Sequence, residues 1–372
     1  MSKKPLAGLT VIAIEQAVAA PLCTVRLADA GARVIKIERQ GGETARHYDS
    51  TVDGTSAYFA WLNRGKQSAV LDLKDSEDLS LLDKMLAKAD VLVQNLSPGA
   101  MGRMGLTAEK LAQSFPHLIV VSIVGYGQDT SYANMKAYDL LLQAESGLCA
   151  ITGPPDAPSK LGVSAIDIAT GMNAHAAVLE ALIARGQTGA GQIIEIAMFD
   201  GIADWMSVPL LHLEYANNET LRHGMAHASI YPYGPFQCAD GTILIAVQTQ
   251  AEWKSLCEMV WDRADLVEDE RFACNPARSD NRALLDAEID PIFAQHTLQE
   301  MIEKLEAARI AYGHYNDMAG LSSHPALRRI DVALPNGSTI SLPRPAGRED
   351  DFAASPISLL GEHTMAIRDE FE

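Results

Sequence analysis

The strongest constraint on the fold is a regular alternation, over the first two hundred residues, of short β-branched runs with amphipathic stretches. Leu9–Glu15 (LTVIAIE), Arg33–Glu38 (RVIKIE), Ser68–Leu73 (SAVLDL), Asp90–Leu96 (DVLVQNL), Leu118–Val124 (LIVVSIV) and Gln192–Ala197 (QIIEIA) each read as a buried strand. Helical patterns lie between them over Pro21–Ala30, Asp78–Ala89 and Thr107–Ser114, and a long one over Asp167–Arg185. Gly31 stands where a helix C-cap would. Strands alternating with helices imply right-handed crossovers and a mainly parallel sheet, so the fold class is α/β and Rossmann-like. No GxGxxG follows the first strand, so the pattern gives no support to dinucleotide binding.

The texture changes after about residue 222. Gly, Pro and Tyr crowd HGMAHASIYPYGPF, and residues 251–310 are helical and charged, with Trp253 and Trp261 as expected anchors. This places a smaller α+β domain at 223–320, with 1–222 and 321–372 forming the large one. The tail carries short strands at Ile330–Val332 and Thr339–Leu342 and a helix at Thr364–Phe371.

Composition narrows the partners. A net charge of −18 argues against a broad nucleic-acid surface, which needs clustered Lys and Arg. Five scattered cysteines form no CxxC pair, so no zinc or redox motif is expected and a reducing, cytoplasmic setting is. The N-terminus lacks the apolar core of a signal peptide, and no apolar run is long enough to span a bilayer.

Two sets of residues could carry chemistry. Asp167 opens the long helix among small and apolar neighbours. Its local context first suggests a helix-start carboxylate favoured by the helix dipole. The alternative is a nucleophile, since a partly desolvated carboxylate held beside an electrophile reacts far better than one in water. Lys36, Arg39, Lys74, Arg103 and Lys136 sit at strand ends or in following loops. Singly they read as surface charge; together they could form a local anion site where parallel sheets bind ligands.

The motifs LAGLTVIAIEQAVAAPLCTVRLADAGARVIKIER (6–39), AVLDLK (69–74), ADVLVQNLSPGAMGRMGL (89–106), VSIVGYGQ (121–128), KAYDLLLQAESG (136–147), IDIATGMNAHAAVLEAL (166–182), IEIAMFDG (194–201), YGPF (233–236) and LLGEHT (359–364) follow in order. In that order and spacing the chain resembles the class III CoA-transferase (CaiB/BaiF) family over nearly its full length. The resemblance implies a large domain built from both chain ends and an interlocked homodimer. It also implies CoA transfer between an acyl-CoA and a free carboxylic acid, with a small dicarboxylate such as succinate as the candidate acid. No metal and no permanently bound cofactor are expected. By motif the catalytic carboxylate falls on Asp167, which would form a mixed anhydride and then an aspartyl-CoA thioester. Gln16 and Asp139 match polar positions near the reacting centre. The CoA contacts fall on Val18, Ala19, Arg39, Leu71, Lys74, Asn95, Leu96, Arg103 and Lys136.

Racemases of this family pair the aspartate with a histidine, and that position is Tyr138 here, which favours the transferase over an acyl-CoA racemase. A non-catalytic CoA-binding protein is the third reading, and the retained Asp167 argues against it. Arg46 and Arg222 are candidates for a second carboxylate. A loop polar pair, His227 and Ser229, and a core or interface His175 complete the candidates.

Overall fold

The computed structural model describes residues 4–349 and 351–372. They fall into two compact units: residues 4–148, 161–208, 328–349 and 351–372, and residues 149–160 and 209–327.

The first unit is built on six parallel strands: β1 (Thr10–Ile14), β2 (Arg33–Glu38), β3 (Lys66–Val70), β4 (Val91–Gln94), β5 (Ile119–Val124) and β6 (Ile193–Ala197). Their order is β3-β2-β1-β4-β5-β6, the doubly wound arrangement. β1 and β4 are buried along almost their whole length because helices cover both faces, which explains their unbroken apolar runs. On one face Val11, Ala13, Val93 and Val121 pack with the helices Ala19–Asp29 and Ala165–Thr188. On the other, Ile12, Ile35 and Leu92 pack with the helices Ser76–Leu86 and Thr364–Phe371. Gly31 has φ +102°, the left-handed conformation the C-cap requires.

The strand expected over Ser68–Leu73 lies two to three residues earlier, at Lys66–Val70. Leu71 and the residues after it leave the sheet and line a cavity instead. The end of the chain runs along the free edge of β3. Ser358 Oγ donates to Lys66 O at 2.6 Å, and His363 N donates to Ser68 O at 2.9 Å. Arg33 then clamps Glu370 through both guanidinium nitrogens, each at 2.6 Å.

The second unit holds an antiparallel sheet, β7 (Tyr233–Gln237), β8 (Thr242–Ala246) and β9 (Ala311–His314), in the order β7-β8-β9. Its helices close on Trp253, Trp261, Phe272 and Phe293, all buried, so both tryptophans serve as anchors. Capping boxes at Thr249/Glu252 and Thr297/Glu300 start two of these helices. A hairpin of β10 (Arg329–Ala333) and β11 (Thr339–Pro343) belongs to the first unit. Among the described residues no helix is long and apolar enough to cross a membrane.

Candidate active site

Asp167 stands in the first turn of the helix Ala165–Thr188. The residue preceding that helix, Ser164, makes no side-chain cap. The cap comes from elsewhere in the chain. The Asp139 carboxylate accepts from Ile166 N at 2.8 Å and from Asp167 N at 3.3 Å. Gln143, one turn further along the helix Asp139–Glu145, donates to Asp139 at 2.6 Å and accepts from Leu161 N at 2.9 Å. Gln143 is fully buried, so the start of the Asp167 helix is fixed by a closed polar arrangement.

This cap changes the electrostatics. The helix dipole alone would keep Asp167 ionised. Here Asp139 already occupies the positive end, so its charge repels Asp167 instead. Burial first, and the Asp139 charge second, push the Asp167 carboxyl up to about 7. Burial and the Asp139 charge thus outweigh the helix dipole, and at neutral pH the group is poised near half-ionisation.

Gly171, one turn after Asp167, brings this helix against the start of Ala19–Asp29. A Cβ there would lie 2.5 Å from Ala19 O and 2.8 Å from Leu22 Cβ. Only glycine permits this close approach of the two helices. The turn leading out of β1 runs into the helix Ala19–Asp29. That turn contains Gln16, Ala17 and Val18. Gln16 N donates to Asn95 Oδ1 at 2.9 Å, and Asn95 Nδ2 donates back to Gln16 O at 2.8 Å. Asn95 thus ties the turn after β1 to the one after β4. Val18 and Ala19 are buried where the first helix begins.

A cavity of about 630 Å³ opens at the C-terminal ends of β1, β2 and β4. Six of the residues singled out in the sequence line it: Gln16, Arg39, Leu71, Lys74, Leu96 and Arg103. Arg39, Lys74 and Arg103 are exposed, and none makes an ion pair among the described residues. Their guanidinium and ammonium groups are placed to take anionic oxygens by charge-assisted hydrogen bonding. Lys136 is exposed and does not line the cavity.

Lys36 does not join them. It is 1% exposed, with Nζ 3.2 Å from Glu15 Oε1 and 2.5 Å from Glu43 Oε1. A lysine so enclosed must be paired, and it has no capacity left for a ligand. Arg46 is likewise committed, bidentate to Glu38 at 2.7 and 2.8 Å. Arg222 donates to the carbonyls of Ala150, Pro154 and Pro155. Neither suits a second carboxylate.

Other polar candidates also resolve. His175 is pushed down by burial and by Arg26 and Arg348, which places it among cations. His227 Nδ1 accepts from Ser229 N and Ile230 N, each at 3.1 Å, so this pair folds its own loop. Tyr138 is 67% exposed at the start of the helix Asp139–Glu145. Tyr48 is a residue the sequence did not single out. Burial raises its phenol first, followed by the negative charges of Glu43 and Asp167. It therefore shares its electrostatic surroundings with the cavity wall and Asp167. Nothing in RHYDS distinguishes it from a surface tyrosine. Among the described residues no group of three metal-ligating side chains comes together.

The family model for CoA-transferase family III matches residues 6–349. The human protein "Succinyl-CoA:glutarate CoA-transferase" is 32% identical over 377 residues, covering 99% of this chain and 86% of the other. "Acetyl-CoA:oxalate CoA-transferase" of Acetobacter aceti is 33% identical, covering 99% and 96%. A CaiB/BaiF family protein from Brucella suis superposes with a TM-score of 0.83 at 32% identity over 100% of both chains. Rv3272 from Mycobacterium tuberculosis gives 0.86 at 29% identity, covering 99% and 100%. With the doubly wound sheet, the cation-lined cavity and the poised Asp167, these likenesses have one meaning: the chain belongs to CoA-transferase family III and is a CoA-transferase.

Proposed function

We propose that this enzyme moves coenzyme A from an acyl-CoA to a free carboxylic acid, with Asp167 as the covalent carrier. The observation that carries the reading is the partly buried Asp167 carboxyl in the first turn of its helix, raised to about 7 by burial and by Asp139, which caps that helix. A carboxylate with a raised pKa is the stronger nucleophile, and it is still substantially ionised at neutral pH.

In the proposed sequence an Asp167 oxygen attacks the thioester carbonyl and CoA thiolate departs, leaving a mixed anhydride. The thiolate then attacks the Asp167 carbonyl and expels the donor acid, giving an aspartyl-CoA thioester. The acceptor carboxylate attacks that same carbonyl, again releasing thiolate. Attack of the thiolate on the acceptor's carbonyl yields the new acyl-CoA and restores Asp167. Bonds made and broken balance at each step, and no metal or redox partner takes part. Arg39, Lys74 and Arg103 would hold the CoA phosphates. Leu71 and Leu96 would supply apolar wall, and Asn95 would fix the turn at Gln16. In this scheme Asp139 touches backbone amides and positions Asp167. The relatives' names include succinyl, glutarate and oxalate, so a small dicarboxylate is the acid class we favour. Tyr138 offers a phenol where a racemase would need an imidazole, which disfavours α-proton chemistry.

We also propose a homodimer in a cytoplasmic setting. Met172, Ile183, Val208, Leu210, Leu211 and Leu213 are exposed apolar side chains in one stretch of chain, and all five cysteines are free thiols. A solution mass near the 40.1 kDa of one chain would contradict the dimer.

The enzymatic test is mass spectrometry after mixing with acyl-CoA and trapping with hydroxylamine. Modification confined to the Asp167 peptide is expected. Normal turnover by Asp167→Ala would sink the mechanism.

A further inference from the structure

The turn between β1 and the first helix is conformationally unusual. Ala17 has φ +62°, a left-handed conformation that residues with a Cβ seldom adopt. Asn95 grips Gln16 from one side. On the other side, Ala17 N donates to Glu43 Oε2 at 2.7 Å.

Glu43 is itself tightly fixed. It is 5% exposed, its Oε1 lies 2.5 Å from Lys36 Nζ, and its own N–H donates to Glu38 at 3.2 Å. Lys36 in turn reaches Glu15, and Glu15 also takes Lys66 at 2.6 Å and Thr24 at 2.6 Å. This is a high outlay of buried charge beneath one short turn. Arg39, Gly42 and Glu43 form a single bend, with Arg39 Nε donating to Gly42 O at 2.8 Å. Arg39, Glu43 and Gln16 all line the cavity. Glu43 therefore links the cationic bend after β2 to the left-handed turn after β1.

We infer that Glu43 is a positioning residue for CoA: its carboxylate holds Ala17 in the left-handed turn, so that Gln16 and Arg39 meet the ligand as one rigid wall. This rests on the reading of the cavity as the CoA site. Without Glu43 the Ala17 N–H loses its acceptor and the turn relaxes toward ordinary backbone conformations. Ligand binding must then restore it, so affinity falls while chemistry at saturation is largely kept.

The test measures CoA affinity by calorimetry, together with kcat and KM for acyl-CoA. Glu43→Ala is expected to weaken CoA binding roughly 10-fold and to raise KM far more than it lowers kcat. Ala17→Gly in that background should recover most of the affinity, because glycine adopts φ +62° without strain. Lys36→Met in the same background should not, which separates turn positioning from simple charge compensation. If Glu43→Ala fails to fold, Ala17→Val is the substitute, since a β-branched residue opposes the turn while leaving Lys36–Glu43 intact. It too should weaken CoA binding. Wild-type affinity in Glu43→Ala or Ala17→Val, or rescue by Lys36→Met and not by Ala17→Gly, would overturn the inference. Wild-type protein that binds CoA but transfers none, with the Glu43→Ala effect intact, would refute the proposed activity and support the positioning role.

Discussion

Asp167→Asn separates what the active carboxylate does for chemistry from what it costs the fold. Burial and Asp139 raise its carboxyl from an ordinary 3.8 to about 7. The unfolded chain is then the stronger acid at this position, so raising the pH favours unfolding. The penalty is absent below about pH 4, grows between about pH 4 and pH 7, and is constant above about pH 7. At about 1.4 kcal/mol per tenfold change, its ceiling is about 4 kcal/mol. Asp167 is only partly buried, and solvent relaxation reduces the realised value, so about 1–4 kcal/mol is expected. Asparagine keeps the shape and removes the ionisation. The variant should therefore be inactive as a transferase yet more stable than wild type at pH 8.5. That advantage should shrink on going to pH 6, by at most about 1.4 kcal/mol. Urea midpoints for both proteins at the two pH values, with slopes compared, provide the assay. Both conditions lie clear of the isoelectric point near 4.9. An advantage that is missing, independent of pH, or larger at pH 6 would refute the electrostatic reasoning.

Two further substitutions probe the same site. Asp139→Asn removes the repelling charge, so the acid limb of the kcat/KM profile should move to lower pH. The weakened helix cap should lower stability by about 1 kcal/mol; an unmoved or higher limb would contradict the repulsion. Gly171→Ala forces a Cβ to within 2.5 Å of Ala19 O, so the two helices must part. A loss of about 1–3 kcal/mol is expected, with a fall in kcat/KM beyond what the unfolded fraction explains. A variant with wild-type melting and turnover would show that the approach is not needed.

The sheet was legible in the sequence because it is buried on both faces. Val11–Ile14 and Val91–Val93 read as unbroken apolar runs since water reaches neither side. The long helix was legible as a helical pattern over Asp167–Arg185, within the Ala165–Thr188 observed, and Thr364–Phe371 matched to the residue. Which lysine serves the ligand was less visible. Lys36 and Arg39 lie three residues apart, but Lys36 sits inside a strand between two buried isoleucines. A lysine in such a run must be buried and paired, and that signal was available in RVIKIER. The Asp139 cap could not be read, because its partners lie 27 and 28 residues away and a helix-start aspartate looks the same wherever its side chain points. Tyr48 was invisible for a similar reason: its role depends on which charges surround it, not on its neighbours in the chain.

The edge of β3 is finished only by the last fifteen residues, where Ser358, His363 and Glu370 are tied down. This sets the order of events during synthesis. β1 is made first, yet the layer it belongs to cannot close until the final helix has left the ribosome. The stretch from 209 to 327, which supplies most of the second unit, can collapse earlier on its own tryptophans. A nascent chain therefore carries an open strand edge and an uncovered apolar face through most of its translation. Loss of the segment from Ser358 to Glu370 would leave that edge open permanently. Such a chain would retain every residue assigned to the active site and still be a substrate for aggregation and proteolysis instead of a catalyst.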